Sequence, residues 1–211
     1  MSPNALDFSQ WIPKDRTSER LRIGWTGSTT HLRDLAEAQY AVFRVLEEHP
    51  GVDLVLMGYD GGWKHRLAAS LSASDHALAS RIDYYPWHAD PATYPWAVAS
   101  LRIDVAIAPL CRNAFNRCRS NLKFLEFGAL GIPVVASRIE PYAEIEDGVT
   151  GMVAKDGSDF QRKLDRLVRD AELRRTIGEA ARAWVRERYD VADAAKRLLG
   201  LFRELAAARA A

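Results

Sequence analysis

Apolar residues along this chain come in short unbroken runs separated by amphipathic stretches. That pattern predicts strands buried on both faces, alternating with crossover helices. LRIGWTG (21–27) is the first run and closes on a glycine turn. HLRDLAEAQYAVFRVLEEH (31–49) is rich in helix formers, with Leu32, Leu35, Ala36, Val42, Phe43 and Leu46 at helical spacing, and Pro50-Gly51 ends it. VDLVLMGY (52–59) is a continuous apolar run with β-branched residues and suits a buried parallel strand. The alternation continues as helix 63–73, strand 81–87, short helix 93–101, strand 105–110, helix 121–130, strand 133–137, helical turn 141–146 and strand 150–154. From Ser158 to about Ala208 the chain reads as helical, with breaks near Gly178 and Tyr189-Asp190. Residues 1–20 are polar and irregular and read as a linker before a single domain over 21–211.

Strands alternating with helices predict an α/β fold, a doubly wound parallel six-stranded Rossmann-like sheet of order 3-2-1-4-5-6 followed by C-terminal helices. In such a sheet the ligand crevice lies at the carboxyl ends of strands 1 and 4, where the winding reverses. A hydrophobic content of 48% against 27% charged residues supports one packed core. The net charge of +1 argues against nucleic acid as the main partner, because modules that bind it carry a basic excess. No apolar run reaches the roughly 18 residues of a membrane span, and the opening MSPNALDFSQWIPKD has no apolar core of a signal peptide. Cys111 and Cys118 lack CxxC spacing and give no disulfide or zinc signal, so a cytoplasmic location is expected.

Two stretches could carry chemistry. The first is GWTGSTTHLRDL (24–35), after strand 1. Gly27 lets the backbone approach a ligand, and Ser28, Thr29 and Thr30 can cap the next helix. His31 and Arg33 fall in its first turn, where cations oppose the helix dipole unless an anion sits there. The Gly-X-X-Gly spacing is not the dinucleotide fingerprint, which disfavours a nicotinamide cofactor. The second is FNRCRSNLKFLEFGALGIPVVAS (115–137), a polar loop, a short helix, a Gly-X-Pro break and a strand. Amides of Asn121, Leu122 and Lys123 open that helix toward the crevice, with Arg119 and Lys123 as phosphate-matching charges. Glu126 either pairs with Lys123 on the helix surface or accepts bonds from a ribose diol. Its neighbours Leu122, Phe124, Leu125 and Phe127 imply a buried helix, and a buried carboxylate needs a partner or a ligand.

The remaining features favour plainer readings. Tyr84, Tyr85, Trp87, Tyr94 and Trp96 could stack on a base or sugar, but core and edge packing is simpler. His49, His65, His76 and His88 share no spacing with one another or with carboxylates, so they read as surface residues with no metal site. Asp60-Gly61-Gly62 reads as a turn, and the Arg-rich run 162–188 as a solvated helix face.

In order and spacing, PNALD (3–7), IGWTGSTTHLRDL, IDVAIAPL, the 115–137 stretch, PYAEIEDGVTGMV and DAELRRTIGEAARAWV resemble the C-terminal, nucleotide-sugar donor half of a GT-B glycosyltransferase of the family-4 (group 1) retaining type. The resemblance implies a nucleotide diphosphate sugar as substrate, with no cofactor and no metal. By it, Gly27 and Ser28 approach the donor phosphates, and Arg33 and Lys123 stabilise the leaving diphosphate as the catalytic cations. Arg119, Ser120, Asn121 and Leu122 complete the cradle, and Glu126 matches the second glutamate of the family's E-x7-E pattern, which binds the ribose. Cys118 stands where the first glutamate, which touches the transferred sugar, would fall, and Asn116 and Arg119 are the candidates to replace it.

Enzymes of this fold act between two Rossmann domains. The resemblance therefore implies an N-terminal acceptor domain as partner, in cis or on another chain, with the last helices packing on it. The competing readings are a non-catalytic nucleotide-sugar binding or assembly module and, less favoured, a UDP-sugar 2-epimerase relative, whose acid/base carboxylates have no counterpart here.

Overall fold

A computed structural model describes residues 4–15, 19–58 and 76–210. The expected helix over 63–73, the turn at Asp60-Gly61-Gly62 and His65 lie outside the described residues. The strands are β1 (Leu21–Thr26), β2 (Val52–Met57), β3 (Ile82–Tyr85), β4 (Val105–Ala108), β5 (Val134–Ser137) and β6 (Met152–Ala154). They form one sheet of order β3-β2-β1-β4-β5-β6. Every pairing is parallel, with Ile23 opposite both Leu54 and Val105 at the centre. The doubly wound sheet expected from the apolar runs is therefore present, in the expected order.

The helices are α1 (Leu32–Glu48), α2 (His76–Ala79), α3 (Tyr94–Ser100), α4 (Ala114–Arg117), α5 (Leu122–Ala129), α6 (Gly157–Arg169), α7 (Ala171–Tyr189) and α8 (Val191–Ala210). Alternation along each strand divides the core in two. Val105 and Ile107 face the layer of α1 and α6, while Ala106 and Ala108 face the layer of α3, α5 and α7. In α1 the buried face runs through Leu35, Ala38, Ala41, Val42, Val45 and Leu46, and Ala36 is exposed.

Three local expectations are corrected. Gly178 does not break a helix: it lies inside α7, where a Cβ would come within 2.2 Å of the Gly131 carbonyl oxygen. The glycine is there for close backbone packing. The break falls instead at Asp170, whose side chain accepts from the Leu173 amide and caps α7.

The leading segment is not a loose linker. Leu6 bridges to Asp190, and Trp11 is buried and packs edge-on against Tyr94 at 6.1 Å. Arg182 donates to the carbonyls of Trp11 and Ala129, tying that segment to α5 and α7.

His49 is not a surface residue. It is half-buried and meets Asp165 at 2.6 Å, across 116 positions of sequence. Glu48, His49 and Asp165 bring ligand atoms within 4.8 Å of one another. Arg169 pairs with Asp165 at 2.9 Å and Arg44 with Glu48 at 3.5 Å, so the group is an ion-pair cluster.

Along 162–188 Arg162, Arg169, Arg175 and Arg188 are exposed and paired as expected, whereas Arg174 and Arg182 are half-buried and donate to backbone carbonyls. Among the described residues no helix is long and apolar enough to cross a membrane.

Candidate functional site

The carboxyl ends of β1 and β4 open into a cavity of about 340 Å³, within the range of small-molecule sites. One wall is the β1–α1 turn with Gly27, Ser28 and His31. A second is the segment after β3 with Trp87, His88 and Tyr94, and the third runs from Arg119 to Glu126. Parallel strands bring these segments together, because each loop at this edge leaves the carboxyl end of a neighbouring strand. Two glycines let the β1 and β2 ends close up: Gly58 has φ +100°, and a Cβ on it would lie 1.5 Å from the Gly27 carbonyl oxygen.

α5 supplies the charge. It is almost wholly buried, its first turn holds no acidic residue, and no side chain caps it. Its leading amides therefore lack a side-chain acceptor at the cavity rim. Glu126 is 8% exposed, on the cavity wall. Its carboxylate is 3.5 Å from the Tyr94 hydroxyl, which also lies 3.2 Å from the Thr26 hydroxyl. Burial pushes the Glu126 carboxyl up to about 7, against the opposing pull of Lys123 and the Tyr94 hydrogen bond. Burial likewise brings Lys123 down to about 8. Lys123 Nζ donates to the Thr26 carbonyl and sits 5.0 Å over the Trp25 ring. The alternative of a surface pair with Glu126 is thus not what forms.

Beside these charges lies a network that local sequence reading does not show. His31 occupies the N-cap position of α1. Its Nδ1 is 3.1 Å from Asp34 Oδ2, and its Nε2 is 2.6 Å from Arg119 Nη2. The buried Asp34 carboxylate also accepts from the Cys111 amide at 2.9 Å and from Asn116 Nδ2 at 2.7 Å. Burial alone would raise its pKa, but these hydrogen bonds outweigh it and hold Asp34 below the usual carboxylate value. The only local hint was the His-x-x-Asp spacing, which places both side chains on one face of a helix start. Asn116, 82 positions from Asp34, gave none.

The expected site residues do not all converge. Gly27, Ser28, Arg119, Ser120, Leu122, Lys123 and Glu126 line the cavity. Arg33 is exposed and lines an adjoining cleft with Arg112, Arg138 and Lys155. Asn121 turns its amide to Glu144 and Tyr189, both at 3.2 Å. Ser28 and Thr30 hydrogen-bond to each other at 2.6 Å, and no side chain caps α1. Asn116 is buried against Asp34, and Cys118 is exposed. Of the two candidates for the lost glutamate contact, only Arg119 therefore reaches the cavity. Of the aromatic cluster, Tyr94 and Trp87 reach it, with Trp87 57% exposed.

Solved structures share this architecture. HepE from Anabaena, in complex with UDP and glucose, superposes with a TM-score of 0.70 at 17% identity, over 95% of this chain and 55% of HepE. Sucrose-phosphate synthase from Thermosynechococcus elongatus gives 0.71 at 18% identity, over 98% of this chain and 52% of the synthase. The C-terminal domain of the glycosyl transferase group 1 family protein LpcC from Francisella tularensis gives 0.67 at 21% identity, over 88% of this chain and 99% of that domain. The chain thus spans about half the length of HepE and of the synthase. No curated protein matches the sequence significantly. The glycosyl transferase-like family matches residues 33–200, a span that runs from the first turn of α1 into α8 and takes in the whole 115–137 stretch. With the fold of a GT-B C-terminal domain around that span, this chain belongs to the glycosyl transferase-like family.

Proposed function

We propose that this domain is the donor half of a glycosyltransferase and binds a nucleoside diphosphate sugar for retaining transfer. One observation carries the reading: a buried carboxylate, Glu126, faces a cavity that also presents Lys123, Arg119 and an uncapped helix start. Glu126 accepts the two ribose hydroxyls. Lys123, Arg119 and the α5 amides of Leu122 and Lys123 take the diphosphate, beside Gly27 and Ser28. Trp87, at the cavity mouth, offers its face to the base. Arg33 acts from the adjoining cleft, on the same leaving group as it develops charge. These cations offset the charge of the leaving diphosphate, so transfer proceeds without a divalent ion. HepE, crystallised with UDP and with UDP-glucose, supports the choice of ligand class.

The acceptor half is supplied in cis or by another chain. α8 supports this, because Leu198, Leu201, Phe202 and Leu205 are exposed along it. A second reading, a binding module without transfer, is favoured by one observation: Cys118 stands exposed where the family's sugar-contacting glutamate falls.

Calorimetric titration with UDP, GDP and ADP tests the site. Binding of at least one is expected, and no binding of any of them overturns the reading. Sugar release from the matching nucleotide sugar, with and without an added acceptor half, then separates enzyme from module.

A further inference from the structure

We propose that His31 and Asp34 aim the Arg119 guanidinium into the cavity, with His31 held as the neutral Nδ1–H tautomer; this rests on the reading of the cavity as a diphosphate site. His31 is buried, and its ring meets Trp25 edge-on at 6.3 Å, which fixes the ring plane. Nε2 then faces only a donor, Arg119 Nη2, whereas Nδ1 faces both an acceptor, Asp34 Oδ2, and a donor, Arg119 Nη1, each at 3.1 Å. Nδ1 lies 3.1 Å from a carboxylate oxygen of Asp34, so it carries the proton. Nε2 lies 2.6 Å from Arg119 Nη2, and a guanidinium has no lone pair to offer, so Nε2 is the acceptor. An imidazolium would set N–H against N–H at Nε2. The opposite tautomer would keep only the Nη1–Nδ1 contact and would lose both the shorter one at Nε2 and the one to Asp34. Burial, and then the charges of Lys123 and Arg119, lower the His31 pKa and keep the ring neutral.

Asp34 does two jobs in this arrangement. It selects the tautomer, and through the Cys111 amide and Asn116 Nδ2 it ties the start of α1 to the loop that carries Arg119. Arg119 Nη1 sits beside the ring, 3.1 Å from Nδ1, and forms an ion pair with Asp34 Oδ2 at 3.6 Å. The other side of the guanidinium lies 5.5 Å from the Phe115 ring. An arginine held this way has already lost most of its rotamer freedom before a phosphate arrives. His31 and Asp34 are positioning residues, and Arg119 is the group that touches ligand.

Two readouts on the full chain test the proposal. Long-range proton–nitrogen NMR of nitrogen-15-labelled protein near neutral pH, with the His31 signals identified by their loss in His31→Gln, should show a neutral ring protonated at Nδ1. An imidazolium, or protonation at Nε2, overturns the proposal whatever the ligand.

The second readout is UDP affinity. His31→Gln keeps an oxygen where Nε2 stood and should bind within about twofold of the native chain. His31→Leu should weaken binding about tenfold, the scale of freeing one long side chain. Adding Arg119→Leu to His31→Leu should cost less than Arg119→Leu costs alone, because the two act as a unit. Full additivity overturns the proposal, as does a His31→Gln loss equal to that of His31→Leu. If native protein binds none of UDP, GDP and ADP, the diphosphate reading fails by itself, and the ring protonation still decides the His31 geometry.

Discussion

α5 and α8 break the usual sorting of residues in opposite directions. α5 buries Glu126 and half-buries Lys123, whereas α8 holds Leu198, Leu199, Leu201, Phe202 and Leu205 out to solvent. A buried charge without full pairing costs free energy, and an exposed apolar stripe invites association. The cost in α5 is local and has a local explanation, since both charged groups line a cavity of ligand size. Among the described residues nothing covers the apolar side of α8, the side the proposed function gives to an acceptor half. α7, between them in the chain, is the ordinary case: it packs backbone on backbone through Gly178 and Gly131 and keeps Arg175 paired at the surface.

The largest expected effect is at α5. Glu126→Ala removes charge-assisted hydrogen bonds worth about 1.5–3 kcal/mol, a roughly ten- to hundredfold loss in UDP affinity by calorimetry. An unchanged affinity would make Glu126 a mere packing oddity and end the comparison with α8. Next comes α7, as the control. Gly178→Ala should destabilise by about 1–3 kcal/mol in urea unfolding, because the Gly131 backbone cannot yield. A neutral result would mean that the α7 contact is looser than its geometry states.

The pH dependence follows in size, up to about tenfold per unit. In the proposed role Glu126 accepts the ribose hydroxyls as a carboxylate, so UDP affinity should rise as pH passes about 7 and fall above about 8 as Lys123 loses its proton. Stability of the free protein moves the other way at the lower edge. A carboxyl whose folded pKa is raised contributes stability at low pH and loses it as pH rises through about 7. Lys123, depressed on folding, contributes at high pH and loses that contribution as pH falls through about 8. Affinity that is flat from pH 6 to 9 would remove both groups from the site. The smallest effect is expected at α8, where Leu201→Ser with Phe202→Ser should shift stability by less than about 0.5 kcal/mol. A large loss would mean that α8 is held by contacts its exposure does not suggest.

The sheet was legible because strands buried on both faces leave continuous apolar runs, and the alternation with helices left one sensible order. Glu126 was legible for the same reason, as one carboxylate in an apolar helix. Gly178 was misread because a glycine that breaks a helix and one that admits a neighbouring backbone look alike in a string. Trp11 was hidden in a polar stretch whose burial depends on Tyr94 and α7. The Asp34–His31–Arg119 network joins residues up to 88 positions apart, so no local period betrays it. Arg33 is singled out by its place in the first turn of the helix and by the family resemblance, and neither says toward which of two adjoining clefts a side chain leans.

The measurement that bears most directly on the buried charge of α5 is thermal unfolding of the native chain and of Glu126→Gln, each with and without UDP at about one hundred times its Kd for the native chain, above pH 7. Ligand at that level stabilises by about 2.7 kcal/mol, a rise of roughly 5–10 °C in a chain of this size. The native chain should show that rise. Glu126→Gln should melt at or above the native temperature without ligand and gain less than half of it with UDP. An equal rise in both would contradict the claim that this carboxylate is buried for a ligand.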